Sequence, residues 1–336
     1  MPLTEISINN FRCFEGIAIS LSPGINFFYG ANGSGKTSIL EAVFIFSSGK
    51  SFKSSNLASL IKHNTNNFDL KAYDGKRGYV AEIKKDKNKS ISVELNNNKI
   101  VTSKLIKEFP CTPIHNNTFS FTDASPDFRR KLLDRSIFIA EEEFSKTWFS
   151  YHKALKQRNH MLKNNRISDI YAWNNKLSQD GEMLSKFRNN FFDKTLQEFK
   201  ILLKRLEPNN IFDFFESISI NFSQGWSEEN TLFQSLEKNQ QKDIQRKTTT
   251  KGPHKSDIKF LINEIDARQI LSRGEQKFFS ILWSCAQHEV LKKHYQIEAS
   301  LIIDDIRSEL DDRVFSLFIE LLKHIENQLG ERQDSG

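Results

Sequence analysis

Leu3, Ile6 and Ile8 stand among polar neighbours, and Ile17 and Ile19 repeat at every second position, the period of strands with one buried face. Pro23-Gly24 signals a turn, and the apolar run Ile25-Asn26-Phe27-Phe28-Tyr29 predicts a further strand. Residues 39–46 read as a helix stopped by Gly49. From 69 to 101 the period returns to two, through Tyr79, Ala81 and Ile83 and then Ile91, Val93 and Leu95, with Asn96-Asn97-Asn98 as a hairpin turn. These runs predict a small antiparallel sheet beside a strand-loop-helix unit.

Helical spacing dominates the middle of the chain. Ser125 as N-cap and Pro126 at the first helical position start a helix carrying Arg129, Arg130, Leu132 and Leu133, which continues with interruptions to Leu162. A second segment, 168–207, spaces Trp173, Leu177, Leu184, Phe191, Phe199 and Leu203 helically, so roughly 80 residues of paired helix are expected, with aromatics in the core and Lys and Arg mostly on the wet face. Beyond it, 216–222 alternates as a strand, 227–241 reads as a polar exposed helix and 243–251 as a basic, Thr-rich loop. Residues 258–262 and 265–270 suggest a hairpin, a helix starts near Ser272, Leu301-Ile302-Ile303 is a buried strand, and a last helix ends near Leu329.

Of the 336 residues 38% are hydrophobic, enough for two domains or one with a large insertion. No apolar run approaches the ~18 residues of a membrane span, and the N-terminus lacks a signal-peptide pattern, so a cytoplasmic protein is expected. Cys13, Cys111 and Cys285 are far apart with no CxxC pair, which indicates neither a disulfide framework nor a zinc site. A net charge of +6 permits an anionic partner without demonstrating one.

The sharpest chemistry lies in Gly30-Ala31-Asn32-Gly33-Ser34-Gly35-Lys36-Thr37, followed by Ser38. It fits the Walker A pattern in its strand-loop-helix setting. Glycines let backbone N–H groups turn inward on a phosphate and the helix adds its positive end. Lys36 is the candidate for the β- and γ-phosphates and Thr37 for Mg²⁺. Leu271-Ser272-Arg273-Gly274 heads a helix, although Ser272 with Glu275 also reads as a plain capping box. The strand 301–303 delivers Asp304-Asp305, a Walker B arrangement in which Asp304 takes the metal and Asp305 polarises water. Ser308-Glu309-Leu310-Asp311 follows.

Walker A, a Leu-Ser-x-Gly signature, Walker B and a Ser-x-Leu-Asp turn, in that order, resemble ATP-binding-cassette ATPases. More specifically the chain resembles the RecF family of recombination mediators along nearly its full length, through Asn10-Phe11-Arg12, Gly49-Lys50-Ser51-Phe52-Lys53, Ser125-Pro126 with Arg129-Arg130, Leu155-Lys156-Gln157-Arg158-Asn159, Gly225-Trp226 and Gly252-Pro253-His254 besides the motifs above. The resemblance implies an α/β fold, an ABC-ATPase head of the P-loop NTPase class with an inserted, mainly helical second lobe. It divides the chain into the N-terminal half of the head at 1–123, the lobe at 124–215 and the C-terminal half of the head at 216–336. It implies ATP and Mg²⁺ as cofactors, Lys36 and Asp305 as catalytic residues, Arg12 and Asn32 as further nucleotide contacts, and an ATP-dependent homodimer in which Ser272 and Gly274 of one copy touch the γ-phosphate held by Lys36 of the other. Double- and single-stranded DNA and RecO- and RecR-type mediators are the implied partners, at gaps and stalled forks, and the implied activity is a slow, DNA-stimulated ATPase. Two departures bear on that activity: Phe119 to Asp123 reads as a shortened nucleotide-sensing loop, and a further strand with a γ-phosphate switch residue is not found after Leu329. A DNA clamp that scarcely hydrolyses is therefore the nearest alternative. A transporter ATPase subunit would have a shorter helical subdomain and an Asp-Glu pair in place of Asp304-Asp305.

Overall fold

The computed structural model describes residues 3–115, 118, 121–164, 166, 169–206, 217–307 and 310–330. In chain order its elements are β1 (Leu3–Phe11), β2 (Phe14–Ser20), α1 (Lys36–Ser48), β3 (Asn67–Asp74), β4 (Tyr79–Asp86), β5 (Ser92–Leu95), β6 (Asn98–Lys99), α2 (Thr102–Glu108), β7 (Cys111–Ile114), α3 (Pro126–Ala140), α4 (Phe144–Lys163) and α5 (Ile170–Leu206). There follow β8 (Ile218–Ser223), α6 (Leu232–Lys238), α7 (Gln240–Arg246), β9 (Asp257–Ile262), β10 (Ile265–Asp266), α8 (Ala267–Ile270), α9 (Arg273–His294), β11 (Ser300–Ile303) and α10 (Asp312–Gly330). Contacts group them into two units, Met1–Phe119 with Leu291–Gly336, and Ser120–Val290. Residues 217–290 thus fall with the helices, where the sequence partition joined 216–336 into one piece.

In the first unit the alternating runs form one antiparallel sheet of order β2-β1-β3-β4-β5-β6, with Ile6 opposite Ile19 and Ile8 opposite Ile17. Its inner face, Ile6, Ile8, Phe11, Phe68, Leu70, Ala81 and Ile83, shares one core with Ala42, Ile45 and Phe46 of α1. Each large side chain so buried contributes about 1.5–3 kcal/mol. Asn96 and Asn97 both take positive φ, 48° and 63°, the conformation of a two-residue hairpin turn that asparagine tolerates. The β5–β6 hairpin is therefore one residue tighter than the pattern suggested. β7 and α2 were not foreseen; β7, with Pro110 before it and Pro113 within it, is too short to show a period. β7 pairs in parallel with β11, Cys111 opposite Ser300 and Ile114 opposite Ile303.

The run 25–29 is not a strand. Phe27 is 80% and Tyr29 94% exposed. Asn26 Oδ1 accepts the Ser22 N–H at 2.8 Å and its Nδ2 donates to the Ser22 carbonyl at 2.8 Å, so a side chain closes the turn that a strand edge would have opened. β11, the nearest candidate for a neighbour by type, pairs only with β7 among the described residues.

The second unit packs α3, α4 and α5 with the antiparallel sheet β10-β9-β8. Phe121, Phe199 and Phe260 surround Trp283 with ring centroids 5.6–5.9 Å away. Ser125 caps α3 with Pro126 in its first turn, as the sequence indicated. The structure sharpens three expectations here. The arginines are not all on a wet face: Arg129, Arg158 and Arg188 are buried, each on an aspartate. The stretch 227–241 gives two short helices, of which α6 starts with a capping box and buries Leu232 and Leu236 completely. The basic loop 243–251 is anchored from below, since Asp243 and Thr249 are buried on Arg158.

Candidate functional site

α1 is preceded by Gly35 at its N-cap, whose φ of 97° suits glycine and whose Cβ, were there one, would lie 2.3 Å from Phe14 Cζ and 2.9 Å from Cys13 Sγ. The β1–β2 turn therefore packs directly on the phosphate loop. Gly30 and Gly33 also take positive φ, and residues 30–34 are exposed. No side chain caps α1 and its first turn holds no acid. Its first N–H groups and positive dipole end are thus left for an anion. Lys36 Nζ donates to the carbonyls of Gly30 at 2.7 Å and Ala31 at 2.8 Å, which folds the lysine over its own loop. Ser34 N–H donates to the Ala31 carbonyl at 3.2 Å. Asn32 is exposed on the loop and Ser38 half-buried in the first turn.

Thr37 and Asp304, which the two motifs assigned to one metal, lie side by side. Thr37 Oγ1 donates to Asp304 Oδ1 at 3.0 Å, and the Asp304 N–H donates to the Ile114 carbonyl at 2.9 Å, so β7 holds the end of β11 in place. Burial raises the Asp304 pKa above the usual aspartate value, with Asp305 and Glu41 adding to the shift and the Thr37 hydrogen bond and the Lys53 charge opposing it. A carboxylate so placed gains from a nearby cation. A hydroxyl beside one carboxylate is a hard-oxygen donor pair of the kind Mg²⁺ uses when phosphates complete its shell. Asp305 follows with φ of 51°.

Arg12 is drawn to a partner the sequence did not announce. Its Nε and Nη2 donate to the two carboxylate oxygens of Glu41 at 2.8 and 2.9 Å. Glu41 lies on α1, is almost wholly buried, and also accepts from Ser51 Oγ. Phe52 stacks on His115 at 4.8 Å and meets Phe44 edge-on at 5.4 Å. These contacts fasten the 49–53 segment to α1 and to the end of β7. The one clue to Glu41 was a single acid inside the apolar run 39–46.

In the second unit Ser272 forms the capping box: its N–H donates to Glu275 Oε2 at 2.8 Å and its Oγ accepts the Glu275 N–H at 3.3 Å. Ser272 is exposed and Gly274 half-buried. Ser308 and Glu309, like Phe119 and Ser120 of the expected sensing loop, lie outside the described residues, while Asp311 Oδ1 accepts the Val314 N–H at 2.8 Å and caps α10.

The sequence profile of the RecF/RecN/SMC N terminal domain matches residues 2–330. The DNA replication and repair protein RecF of Pseudoalteromonas translucida is 31% identical over 345 residues, covering 98% of this chain and 91% of that protein. That of Nitrosococcus oceani is 32% identical over 327 residues, covering 93% and 86%. Among solved structures, the recombination mediator protein RecF with ATP in the RecFOR pathway superposes with a TM-score of 0.79 at 25% identity, covering 95% of this chain and 89% of that one. The Smc head domain of Pyrococcus furiosus, at 16% identity and a TM-score of 0.54, shares the fold.

Proposed function

Since the chain belongs to the RecF family within the RecF/RecN/SMC N-terminal domain group, we propose that it is an ATP-binding DNA replication and repair protein, a recombination mediator acting at gapped and stalled DNA. The observation that carries this reading is the Thr37–Asp304 contact beside an uncapped α1 N-terminus. Gly30, Ala31, Asn32, Gly33, Ser34 and Gly35 would cradle the phosphates with Ser38, and Lys36 would exchange two carbonyls for the β- and γ-phosphates. Thr37 and Asp304 would hold Mg²⁺, which when bound neutralises phosphate charge and orients the terminal phosphate. Asp305 would polarise water. Arg12, already paired with Glu41, would brace α1 and reach the nucleotide only by leaving that partner.

Ser272 and Gly274 would contact the nucleotide of a second copy, so that ATP controls whether two basic surfaces face one DNA. RecO- and RecR-type mediators and a cytoplasmic setting follow from the same reading; no described helix is long and apolar enough to cross a membrane. α4 and α5, with 20 and 37 residues, support it over a transporter subunit with a short helical subdomain. Titration with a fluorescent ATP analogue tests the pocket: Mg²⁺-dependent binding is expected for the parent and a loss of at least tenfold for Lys36→Met, whereas equal affinity in the two proteins would refute the assignment.

A further inference from the structure

α4 divides its charge sharply between two faces. Tyr151, Ala154, Arg158 and Leu162 are buried, while Lys153, Lys156, His160 and Lys163, spaced by three, four and three, stand exposed along one stripe. No Asp or Glu occurs from 144 to 166. A second acid-free segment, 244–256, carries Arg246, Lys247, Lys251 and Lys255. Buried contacts join the two: Arg158 Nη1 donates to Asp243 Oδ2 and Thr249 Oγ1, both at 2.8 Å, and Asn159 Oδ1 accepts the Thr249 N–H at 2.8 Å. The acids at either end of the second segment are turned inward, Asp243 on Arg158 and Asp257 on Arg129. Several lysines elsewhere are answered by acids, as in Lys71–Glu82, Lys131–Asp127 and Lys176–Asp180. Lys153, Lys156, Lys163 and Lys247 have no ion pair among the described residues. A shallow groove of about 420 Å³ runs along α4, lined by His152, Leu155, Lys156, Asn159, His160 and Lys163.

We propose that this surface, the exposed face of α4 with the adjoining 246–251 loop, is where the second unit grips the phosphate backbone of duplex DNA. From Lys153 to Lys163 the stripe rises about 15 Å at 1.5 Å per residue, a length over which one strand of B-DNA presents about four phosphates. Amines on flexible stems make point-charge contacts to such an array without reading bases. An ordinary solvated helix face would intersperse acids, and this one has none. The inference rests on the DNA-binding reading given above and adds its location.

The test is the salt dependence of binding to a 30-base-pair duplex, by fluorescence anisotropy, for the full chain and two variants with the same charge change. One carries Lys156→Glu, Lys163→Glu and Lys247→Glu. The other carries Lys87→Glu, Lys99→Glu and Lys104→Glu, exposed positions of the first unit. The first should bind at least tenfold more weakly, with a log–log salt slope shallower by about 3, since each phosphate contact contributes about 0.9. The second should stay within about threefold of the parent, and both should keep the parent's affinity for ATP. If the α4 variant retains the parent's affinity and slope, or the second variant falls as far, the location is wrong although DNA binding stands. If the parent itself binds no duplex at low salt, the DNA-binding reading fails and this inference with it.

Discussion

Gly35 and Asp304 show how single residues set the candidate pocket. A methyl group at Gly35 would press on Phe14 and Cys13 and force a left-handed backbone angle on alanine. Gly35→Ala should therefore weaken ATP binding at least tenfold and cost about 1–3 kcal/mol of stability, measured by titration and denaturant unfolding. At Asp304 burial raises the pKa, so the folded state holds that proton to higher pH than the unfolded chain does. The sign follows: this group favours folding as pH falls through the raised value and opposes folding above it. Asp304→Asn should leave the nucleotide-free protein as stable or more stable at pH 7, yet abolish the rise in melting temperature that Mg²⁺ and ATP give the parent. A nucleotide-free protein clearly destabilised by the change would contradict that. The Thr37–Asp304 contact was legible because a phosphate-loop pattern and an apolar strand ending in acids are each set by chemical requirement. The contacts of Glu41 with Arg12 and Ser51 were not, since a buried acid in a helix declares its role only when its partners arrive from other elements.

Among the elements, the second unit is tied by buried ion pairs rather than by helix packing alone. Arg188 holds Asp134 through both carboxylate oxygens at 2.8 Å and donates to the Pro253 carbonyl at 2.7 Å. Removing one partner of such a pair strands the other, so Arg158→Ala, which leaves Asp243 buried without its cation, should cost about 3–5 kcal/mol, visible in the denaturant midpoint. His254 belongs to the same knot. Its Nε2 lies 2.9 Å from the Thr249 carbonyl, which can only accept, so Nε2 carries the hydrogen and Nδ1 accepts from the Tyr151 hydroxyl at 2.7 Å. Burial lowers its pKa to about 4. A histidine held neutral in the fold but free to protonate when unfolded stabilises fully above about pH 6.5 and loses that contribution down to about pH 4, roughly 3 kcal/mol in all. Unfolding titrations at pH 7 and 5 should show a smaller drop for His254→Gln than for the parent; an equal drop would assign the pH dependence to other groups. Helical spacing revealed α3, α4 and α5 but not this knot, because an arginine on a core face and one on a wet face look alike until the facing strand and loop are known.

At the scale of the whole molecule, two compact units carry the parts of one proposed machine: the phosphate loop with Asp304 in the first, Ser272 and Gly274 with the basic α4 face in the second. The order of motifs made the fold class and the family legible. The failure at 25–29 has a plain cause, since an apolar run becomes a strand only where an edge receives it, and here Asn26 closes the turn instead. At the centre of the proposed function, two copies clasp ATP between Lys36 of one and Ser272 with Gly274 of the other. Light scattering coupled to size exclusion, with ATP, Mg²⁺ and gapped DNA, tests it on the parent, on Lys36→Met and on Ser272→Arg. The parent should double in mass on adding ATP, Lys36→Met should neither bind ATP nor dimerise, and Ser272→Arg should bind ATP and remain monomeric. A Ser272→Arg protein that dimerises on ATP as readily as the parent would contradict the claim.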